Sequence, residues 1–423
     1  MDNAFAKKGK YYFSNGKYNE VKDVVIGADE SVYVLIETGL LDSVRDMDII
    51  ILKLTPQGVP DAQFGEGGIV QFDFHGLYIS RAGEMHLQPD GKILVAGDGV
   101  KGMFPDINYS CLARLLPDGS PDPDFGNNGT VTVKFDKVSF LTSLAPANDS
   151  SVFICGSYNQ PVGSHIDVFP VIGKLNKEGV PDTTFRRTGK MWIDFNFQIF
   201  SFASVKHTAG GGISDVVVQK DGKILVCGGF IFAYTYEGFI ARFLPNGTLD
   251  TSFNAKGYFR YDFTPGKYNY IKRVGLYDDH TLVFAAASQT DFDSDFYLGV
   301  MNLNDYTFKI SHIDFNGQHD ILEDMSIMNN EVILCGRSIL SQNVPLGHRS
   351  NYAAVARVTN IKDPITYETF LYTLSDKDQN GLMAHAGFKD AIVIGGFEHT
   401  SNVYMKNVVV SRLLLKKGNK KKK

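Results

Sequence analysis

The stretch Leu115–Gly129, LLPDGSPDPDFGNNG, decides the fold because it recurs along the chain. Related copies are LTPQGVPDAQFGEGG (Leu54–Gly68), LNKEGVPDTTFRRTG (Leu175–Gly189) and FLPNGTLDTSFNAKG (Phe243–Gly257). Their phenylalanines are separated by 61, 60 and 68 residues. A period of this length in a chain of 423 residues indicates a repeat architecture that can form one body.

Each copy of the turn is embedded in a pattern of β-strands. EMHLQPDGKILVAG (Glu84–Gly97) and DVVVQKDGKILVCG (Asp215–Gly228) place Asp-Gly between two apolar runs, which is typical of a hairpin. A third strand then ends in the repeated turn, and a fourth follows its last glycine. Degenerate copies of the hairpin bring the number of repeats to seven.

The N-terminus carries half of a repeat. MDNAFAKKGKYYF aligns with PDAQFGEGGIVQF, and Phe5 precedes Phe64 by 59 residues. A closed ring explains why the two ends complement each other, because pairing them removes two free sheet edges. The sequence therefore predicts an all-β fold: a seven-bladed β-propeller of four-stranded antiparallel blades. We expect residues 1–19 to complete the C-terminal blade, so that the N-terminal strand closes the ring.

Composition narrows the classes of partner. The net charge is −5, and six lysines lie within the last eight residues, so the rest of the chain carries −11. We expect no nucleic acid on the folded body. We predict one propeller domain over residues 1–415, a monomer or a subunit of an assembly, and a disordered lysine-rich tail over 416–423 that could contact an anionic polymer or membrane surface.

The chain shows no signal for a membrane or for secretion. Its apolar runs are shorter than the ~18 residues of a membrane span, and the N-terminus lacks an apolar core of the signal-peptide kind. We expect no membrane span, and a location in the cytoplasm or export by another route. Cys155, Cys227 and Cys335 share one repeat position and are expected to be small buried residues.

A family resemblance follows from these motifs. DGKILVAG, then a strand ending ARL, then PDGSPDPDFGNNG resembles the delta-60 repeat of bacterial β-propeller proteins. The resemblance is good over Met85–Phe135 and Val216–Phe263 and poor after about Leu303. It implies a propeller with a binding or surface role, and it brings no catalytic residues.

The repeated aspartates Asp61, Asp122, Asp182 and Asp250 allow two interpretations. They could form repeated cation sites, or each carboxylate could accept backbone N–H bonds within its turn while the phenylalanine packs between sheets. Calcium loops crowd several oxygen donors into one segment, and each turn here offers one or two. The second interpretation is therefore favoured.

The opposite face carries the loops that differ between repeats, and this pattern predicts a binding surface. The candidate residues there are aromatic or basic, more than a solvated loop requires. They are Phe197, Phe200, Phe230, Phe232, Tyr234, Tyr236, His348 and Arg349.

A second candidate site lies at one position of the hairpins. The alignment places there Asp23, Glu84, Ser143, Asp215, Arg273 and Asp324, with Leu382 or Met383 in the seventh copy. Facing the channel, Asp23, Glu84, Asp215 and Asp324 could hold a divalent cation. Alternatively, each group bonds the backbone of the neighbouring blade.

Motifs of known enzyme classes, such as GxSxG, HExxH and the P-loop, are absent from the sequence. We therefore expect a recognition scaffold for a protein or glycan partner, with no cofactor, rather than an enzyme. Two alternatives remain. One is a hydrolase or lyase that uses the channel carboxylates with a cation, and the other is a structural component of a larger assembly.

Overall fold

The computed structural model describes residues 1–39, 47–74, 79–101, 107–135, 138–162, 165–193, 211–232, 235–264, 267–289, 294–315, 317, 319–339, 351–374, 380–388, 391–399 and 406–414. Almost all of the regular structure in these ranges is β-strand. The chain is all-β, as predicted. The lysine-rich tail lies outside the described residues.

The strands in chain order are β1 (Lys10–Phe13), β2 (Tyr18–Ile26), β3 (Val32–Gly39), β4 (Met47–Leu54), β5 (Ile69–Phe72), β6 (Ile79–Leu87), β7 (Ile93–Lys101), β8 (Ile107–Leu115), β9 (Thr130–Val133), β10 (Val138–Pro146), β11 (Val152–Val162), β12 (His165–Leu175), β13 (Lys190–Trp192) and β14 (Gly211–Val218). They continue with β15 (Ile224–Phe232), β16 (Thr235–Phe243), β17 (Tyr258–Tyr261), β18 (Tyr268–Asp278), β19 (Thr281–Gln289), β20 (Ser294–Asn302), β21 (Phe308–Ile313), β22 (His319–Met328), β23 (Glu331–Ile339), β24 (Asn351–Asn360), β25 (Thr366–Tyr372), β26 (Asn380–Phe388), β27 (Ala391–His399) and β28 (Lys406–Leu414). A 3-10 turn covers Phe253–Ala255.

The number of sheets differs from the sequence-based expectation. The described strands form five hydrogen-bonded sheets, three with four strands and two with eight, so the prediction of seven separate blades is wrong. Each eight-stranded sheet joins two four-stranded antiparallel units through one parallel bridge, Met47 with Ile79 or Tyr236 with Tyr268. The sequence repeat reports the antiparallel units, and it carries no signal for a bridge between one unit and the next.

The two ends of the chain meet in one sheet. β1 pairs antiparallel with β28, and this sheet has the order β1-β28-β27-β26. Phe5 and Phe13 pack in one apolar cluster with Val21, Val393 and Val408. The expected pairing of the N-terminal strand with the C-terminal unit is confirmed.

The repeated turns are structural joints. Asp122 Oδ1 accepts the N–H of Asp124 at 3.0 Å, and its Oδ2 accepts Nε–H of Arg114 at 2.6 Å. Asp61, Asp182 and Asp250 accept the equivalent N–H bond at 3.0, 2.9 and 3.1 Å. Their phenylalanines, Phe64, Phe125, Phe185 and Phe253, are at most 1 % exposed. The interpretation of these aspartates as turn-forming residues is confirmed.

Each joint also binds the next one. Phe125 packs against Gly179 of the following turn, where an added Cβ would lie 2.9 Å from the Phe125 ring. Gly126 N–H donates to the carbonyl of Glu178 at 2.8 Å. The backbone of Gly179 has a φ of +81°, so both its conformation and its close contact require glycine.

The innermost strands β2, β6, β10, β14, β18, β22 and β26 each contain a register shift of one residue. The residue after each shift occupies the channel position that the alignment identified, and in the last strand it is Ala384. The expected Leu382 or Met383 is thus replaced by Ala384, because a bulge adds a residue that an ungapped alignment does not count.

The strand register separates two faces of the molecule. Tyr18 pairs with Gly39, which pairs with Met47, so the start of β2 and the loop between β3 and β4 lie at one end. We call this end the variable face, and the end that carries the hairpins and repeated turns the regular face. No helix among the described residues is long and apolar enough to cross a membrane.

Candidate functional site

The channel carboxylates connect each unit to its neighbour. Asp23 accepts the N–H of Met85 at 2.8 Å, and Glu84 accepts that of Leu144 at 2.8 Å. Asp215 accepts the N–H of Val274 at 2.9 Å. In each case the donor follows the channel position of the next unit. These carboxylates therefore act as staples between units.

Burial and mutual repulsion set the electrostatics of this ring. Burial, with Asp324 adding to it, raises the pKa of Asp23 to about 6. Burial and Asp215 raise the pKa of Glu84 to about 8. Burial would also raise the pKa of Asp324, but Arg273, whose Nε donates to it at 2.8 Å, helps to hold that pKa well below its usual range. Arg273 is the cation that makes this concentration of acids tolerable.

The last unit lacks a channel carboxylate and carries a histidine beside it. His385 Nδ1 lies 3.1 Å from Asp324 Oδ2, and its Nε2 lies 2.7 Å from Ser326 Oγ. The His385 side chain is fully buried. A chain of serine, histidine and aspartate with these contacts can in principle transfer a proton from the hydroxyl to the imidazole. The sequence offered no signal for it, because its members lie on β22 and β26.

The hydrogen bonds explain the ring without a bound ion. Asp215 accepts the Ser143 hydroxyl at 2.9 Å and the N–H of Val216 at 2.8 Å, in addition to its bond with the next unit. Oxygens occupied by backbone donors are less available as metal ligands. Cation binding by Asp23, Glu84, Asp215 and Asp324 therefore stays a prediction.

Two of the predicted binding residues have described side chains. Phe230 is 5 % exposed and packs edge-on against Phe239, with ring centroids 6.2 Å apart, so it supports the surface from the core. Tyr236 is half-buried at the start of β16 on the variable face. Phe232 ends β15, but its side chain is outside the described residues, as are Phe197, Phe200, Tyr234, His348 and Arg349.

Tyr236 belongs to a group of three tyrosines. Its ring lies 6.2 Å from that of Tyr268 at an interplanar angle of 60°, and Tyr268 is 56 % exposed. Tyr270 lies two residues further along β18. Gly229 leaves room for this packing, because an added Cβ would lie 2.3 Å from Tyr236 Cε1 and 2.8 Å from Tyr270 Cβ. We call Tyr236, Tyr268 and Tyr270 the tyrosine cluster.

A fixed carboxylate adjoins the tyrosine cluster. Glu323 accepts Lys272 Nζ at 2.6 Å on one oxygen and Arg337 Nη2 at 2.8 Å on the other. Burial, followed by Glu323 and Tyr236, raises the pKa of Tyr270 to about 12. Lys272 and Glu323 are the extra residues of their bulges, which turn such side chains away from the regular alternation of a strand.

A second polar group lies at the same end of the innermost strands. Lys22 Nζ lies 3.5 Å from Glu20 and 3.4 Å from Glu37. Tyr18 donates a hydrogen bond to Glu20, and Lys406 Nζ donates to Tyr18 Oη at 3.1 Å. The channel opening on the variable face is therefore lined by side chains that fix one another's positions.

Sequence reasoning located Tyr236 but missed Tyr268, Tyr270 and the charges around Glu323. The spacing of Tyr268 and Tyr270 was a usable signal, since residues two apart share one face of a strand. The charged group carried no such signal, because bulges move Lys272 and Glu323 out of that alternation.

A family model described as "Domain of unknown function (DUF5122) beta-propeller" matches residues 88–125 and 219–253. Both segments contain an Asp-Gly hairpin and a repeated turn. The match supports a β-propeller family, and the narrower delta-60 resemblance stays a prediction. None of the curated proteins matches the chain.

Solved structures with a similar fold include the polysaccharide lyase Uly1, at 10% identity and a TM-score of 0.51, covering 97% of this chain and 93% of that one. The β-propeller domain of the Trilobed protease from Pyrococcus furiosus has 10% identity and a TM-score of 0.46, covering 96% and 98%. The Trypanosoma rangeli sialidase in complex with the inhibitor DANA has 13% identity and a TM-score of 0.43, covering 81% and 56%. At such low identity, the similarity to Uly1 shows the fold alone.

Proposed function

We propose that this β-propeller is a recognition scaffold that binds a protein or glycan partner on its variable face. The observation that carries the proposal is the tyrosine cluster, in which Tyr268 is 56 % exposed beside Tyr236. Tyrosine supplies a large amphipathic contact surface at a small cost in conformational entropy. An exposed aromatic side chain held on a strand edge next to a fixed charge is typical of a binding surface.

The charges beside the cluster add directionality. Lys272 and Arg337 hold Glu323 from two sides, at 2.6 and 2.8 Å. A carboxylate and a guanidinium fixed in this way provide an acceptor and a donor that are ordered before the partner arrives. Preordered polar groups lose less entropy on binding and give specificity for hydroxyl or amide groups. Both protein and glycan surfaces offer such groups.

The loop residues predicted from the sequence extend this proposal. Phe232 and Tyr234 lie between β15 and β16, next to Tyr236, and Phe197, Phe200, His348 and Arg349 belong to segments that connect at the same face. We assign them to the outer part of the binding surface. Phe230 contributes by supporting it from the core, where Arg260 lies 5.3 Å from its ring.

A glycan array and a photo-crosslinking capture with the full chain test this function together. The proposal predicts retention of a glycan or a protein by the wild-type chain, and loss of most of that retention in Tyr236→Ala/Tyr268→Ala. The control is Tyr12→Ala/Tyr367→Ala, which removes two exposed tyrosines from the outer strands β1 and β25. Equal retention by the two double variants contradicts the proposal.

A hydrolase is the second candidate, and the contacts of Ser326, His385 and Asp324 favour it. In this alternative, Ser326 is the nucleophile, His385 is the base and Asp324 orients the imidazole. A fluorophosphonate probe tests it, because such probes label an activated serine. Labelling that disappears in Ser326→Ala supports a hydrolase, and a wild-type chain that stays unlabelled contradicts it. Light scattering tests the remaining alternative, a subunit of a larger assembly.

A further inference from the structure

Three carboxylates meet on the variable face where β20, β21 and β22 begin or end. One oxygen each from Asp295, Asp314 and Asp320 lies within 4.8 Å of the others. Phe296 pairs with Ile313, so Asp295 and Asp314 face each other at the ends of neighbouring strands. This group is separate from the channel carboxylates and from the tyrosine cluster.

Asp320 is buried and keeps one oxygen unused. Its side chain is 0 % exposed, and Oδ2 accepts the N–H of Phe315 at 3.0 Å. Oδ1 has no hydrogen-bond partner among the described residues. Burial, with Asp295 and Asp314 adding to it, raises the pKa of Asp320 to about 6. A buried carboxylate with an unsatisfied oxygen and acidic neighbours is costly unless a cation joins it.

The preceding unit contains a neutralised version of the same arrangement. There, Glu237 receives two hydrogen bonds from Arg260, at 2.9 and 2.8 Å, and Asn269 donates its amide to Asp262 at 2.6 Å. In the later unit, Asp295, His312, Asp314 and Asp320 occupy the corresponding positions. His312 lies 3.4 Å from Asp295 and is charged only when protonated. An arginine and an amide donor have thus been exchanged for a histidine and a third carboxylate.

The structural task of Asp320 does not require a charge. It lies four residues before the channel position, where earlier units have Asn19, Ser80, Ser139 and Asn269. Ser80 accepts the N–H of Phe74 at 3.0 Å, and Asn269 accepts that of Thr264 at 3.2 Å. These bonds correspond to the one that Asp320 accepts from Phe315. A neutral side chain therefore performs the same task elsewhere, and the negative charge of Asp320 has another purpose.

We propose that Asp295, Asp314 and Asp320 bind a divalent cation that prefers oxygen ligands, with Ca²⁺ as the best fit. Ca²⁺ takes oxygens at about 2.3–2.6 Å, so two ligands on opposite sides of the ion lie about 4.6–5.2 Å apart. The separation of at most 4.8 Å between these oxygens agrees with that geometry. The ion bridges two units on the variable face.

Calorimetric titration of the metal-depleted full chain with CaCl₂ tests the proposal, and thermal unfolding provides a second readout. We expect saturable binding and a higher melting temperature with Ca²⁺. Asp320→Asn copies the residue of the preceding unit, so it should fold, and its affinity for Ca²⁺ should drop at least tenfold. Asp314→Asn changes an exposed side chain and should weaken binding in the same direction.

The matched control is Asp262→Asn, which makes the same exchange at the equivalent strand position of the neutralised unit. It should leave Ca²⁺ binding unchanged. Asp320→Asn should also be more stable than the wild type without metal, because it removes a repulsive buried charge. Absence of saturable binding at millimolar Ca²⁺ overturns the proposal, and so does an Asp320→Asn variant that binds as tightly as the wild type. A purely structural role for Asp320 predicts that second result.

Discussion

Asp2 and Arg412, which are 410 residues apart in the chain, form a buried ion pair with 2.7 Å between Asp2 Oδ2 and Arg412 Nε. The same guanidinium lies 5.0 Å from the Phe5 ring and donates to the carbonyl of Pro56 at 2.7 Å. Arg114 makes the equivalent contacts with Asp122 and Phe125 within a central repeat. The N-terminal half of a repeat and the C-terminal strand therefore assemble one complete joint from the two ends of the chain.

Removal of this guanidinium should weaken the closure between the ends. We predict that Arg412→Ala lowers the free energy of unfolding by about 3–5 kcal/mol, because Asp2 is left unpaired in a largely buried site. Lys309→Ala is the control, since its pair with Asp363 is exposed and should be worth less than about 1 kcal/mol. Urea unfolding of both variants provides the measurement. Equal losses would show that the terminal joint is unimportant for stability.

The contact between successive joints predicts a strong requirement for glycine. At Gly119, an added Cβ would lie 2.4 Å from Val70 Cγ2 and 3.0 Å from the Phe64 ring, and φ is +89°. Gly16 has a similar φ of +76° and no atom within 4 Å of an added Cβ. Gly119→Ala should therefore destabilise the protein by at least about 1 kcal/mol more than Gly16→Ala, with overpacking as the cause of the difference. Thermal unfolding of the two variants measures it, and equal shifts would contradict the packing argument.

The raised pKa of Glu84 predicts a pH-dependent stability. Its pKa is about 8 in the folded protein against a usual value of 4.5, so the folded state binds the proton more tightly than the unfolded state. Stability from this group is present below about pH 4.5 and is lost as the pH rises to about 8. Glu84→Gln should remove that loss, because the amide oxygen can still accept the Leu144 N–H.

Urea midpoints at pH 5, 6.5 and 8 check this prediction. The advantage of Glu84→Gln over the wild type should grow with pH, whereas Glu66→Gln, at an exposed glutamate, should follow the wild type throughout. Parallel curves for the wild type and Glu84→Gln would rule out a buried, protonated carboxyl at this position.

Local chemistry made much of the fold predictable. Asp-Gly hairpins, the turn around Asp122 and Phe125, and the half-copy at Asp2 and Phe5 depend on residues close in sequence, and the structure confirms each. The number of sheets depends on single parallel bridges such as Met47 with Ile79, which join strands of different units and leave no periodic pattern. The position of Ala384 was missed for a related reason, since a bulge shifts the alignment by one residue.

The candidate site was less predictable because it combines strands that are distant in sequence. Tyr236 and Tyr268 come together through a parallel bridge between β16 and β18. Phe230 belonged to an aromatic segment, and composition could not show that its ring points into the core. The three carboxylates near Asp320 escaped notice because each lies in a different strand end and none is part of a repeated motif.

Site-specific photo-crosslinking tests the central claim, that the partner binds on the variable face, most directly. The photoreactive residue replaces either Tyr268 on the variable face or Val180 on the regular face, which are 56 % and 55 % exposed. The partner retained by the wild-type chain should crosslink at position 268 and stay uncrosslinked at position 180. Crosslinking at position 180 alone would place the partner on the regular face and contradict the account.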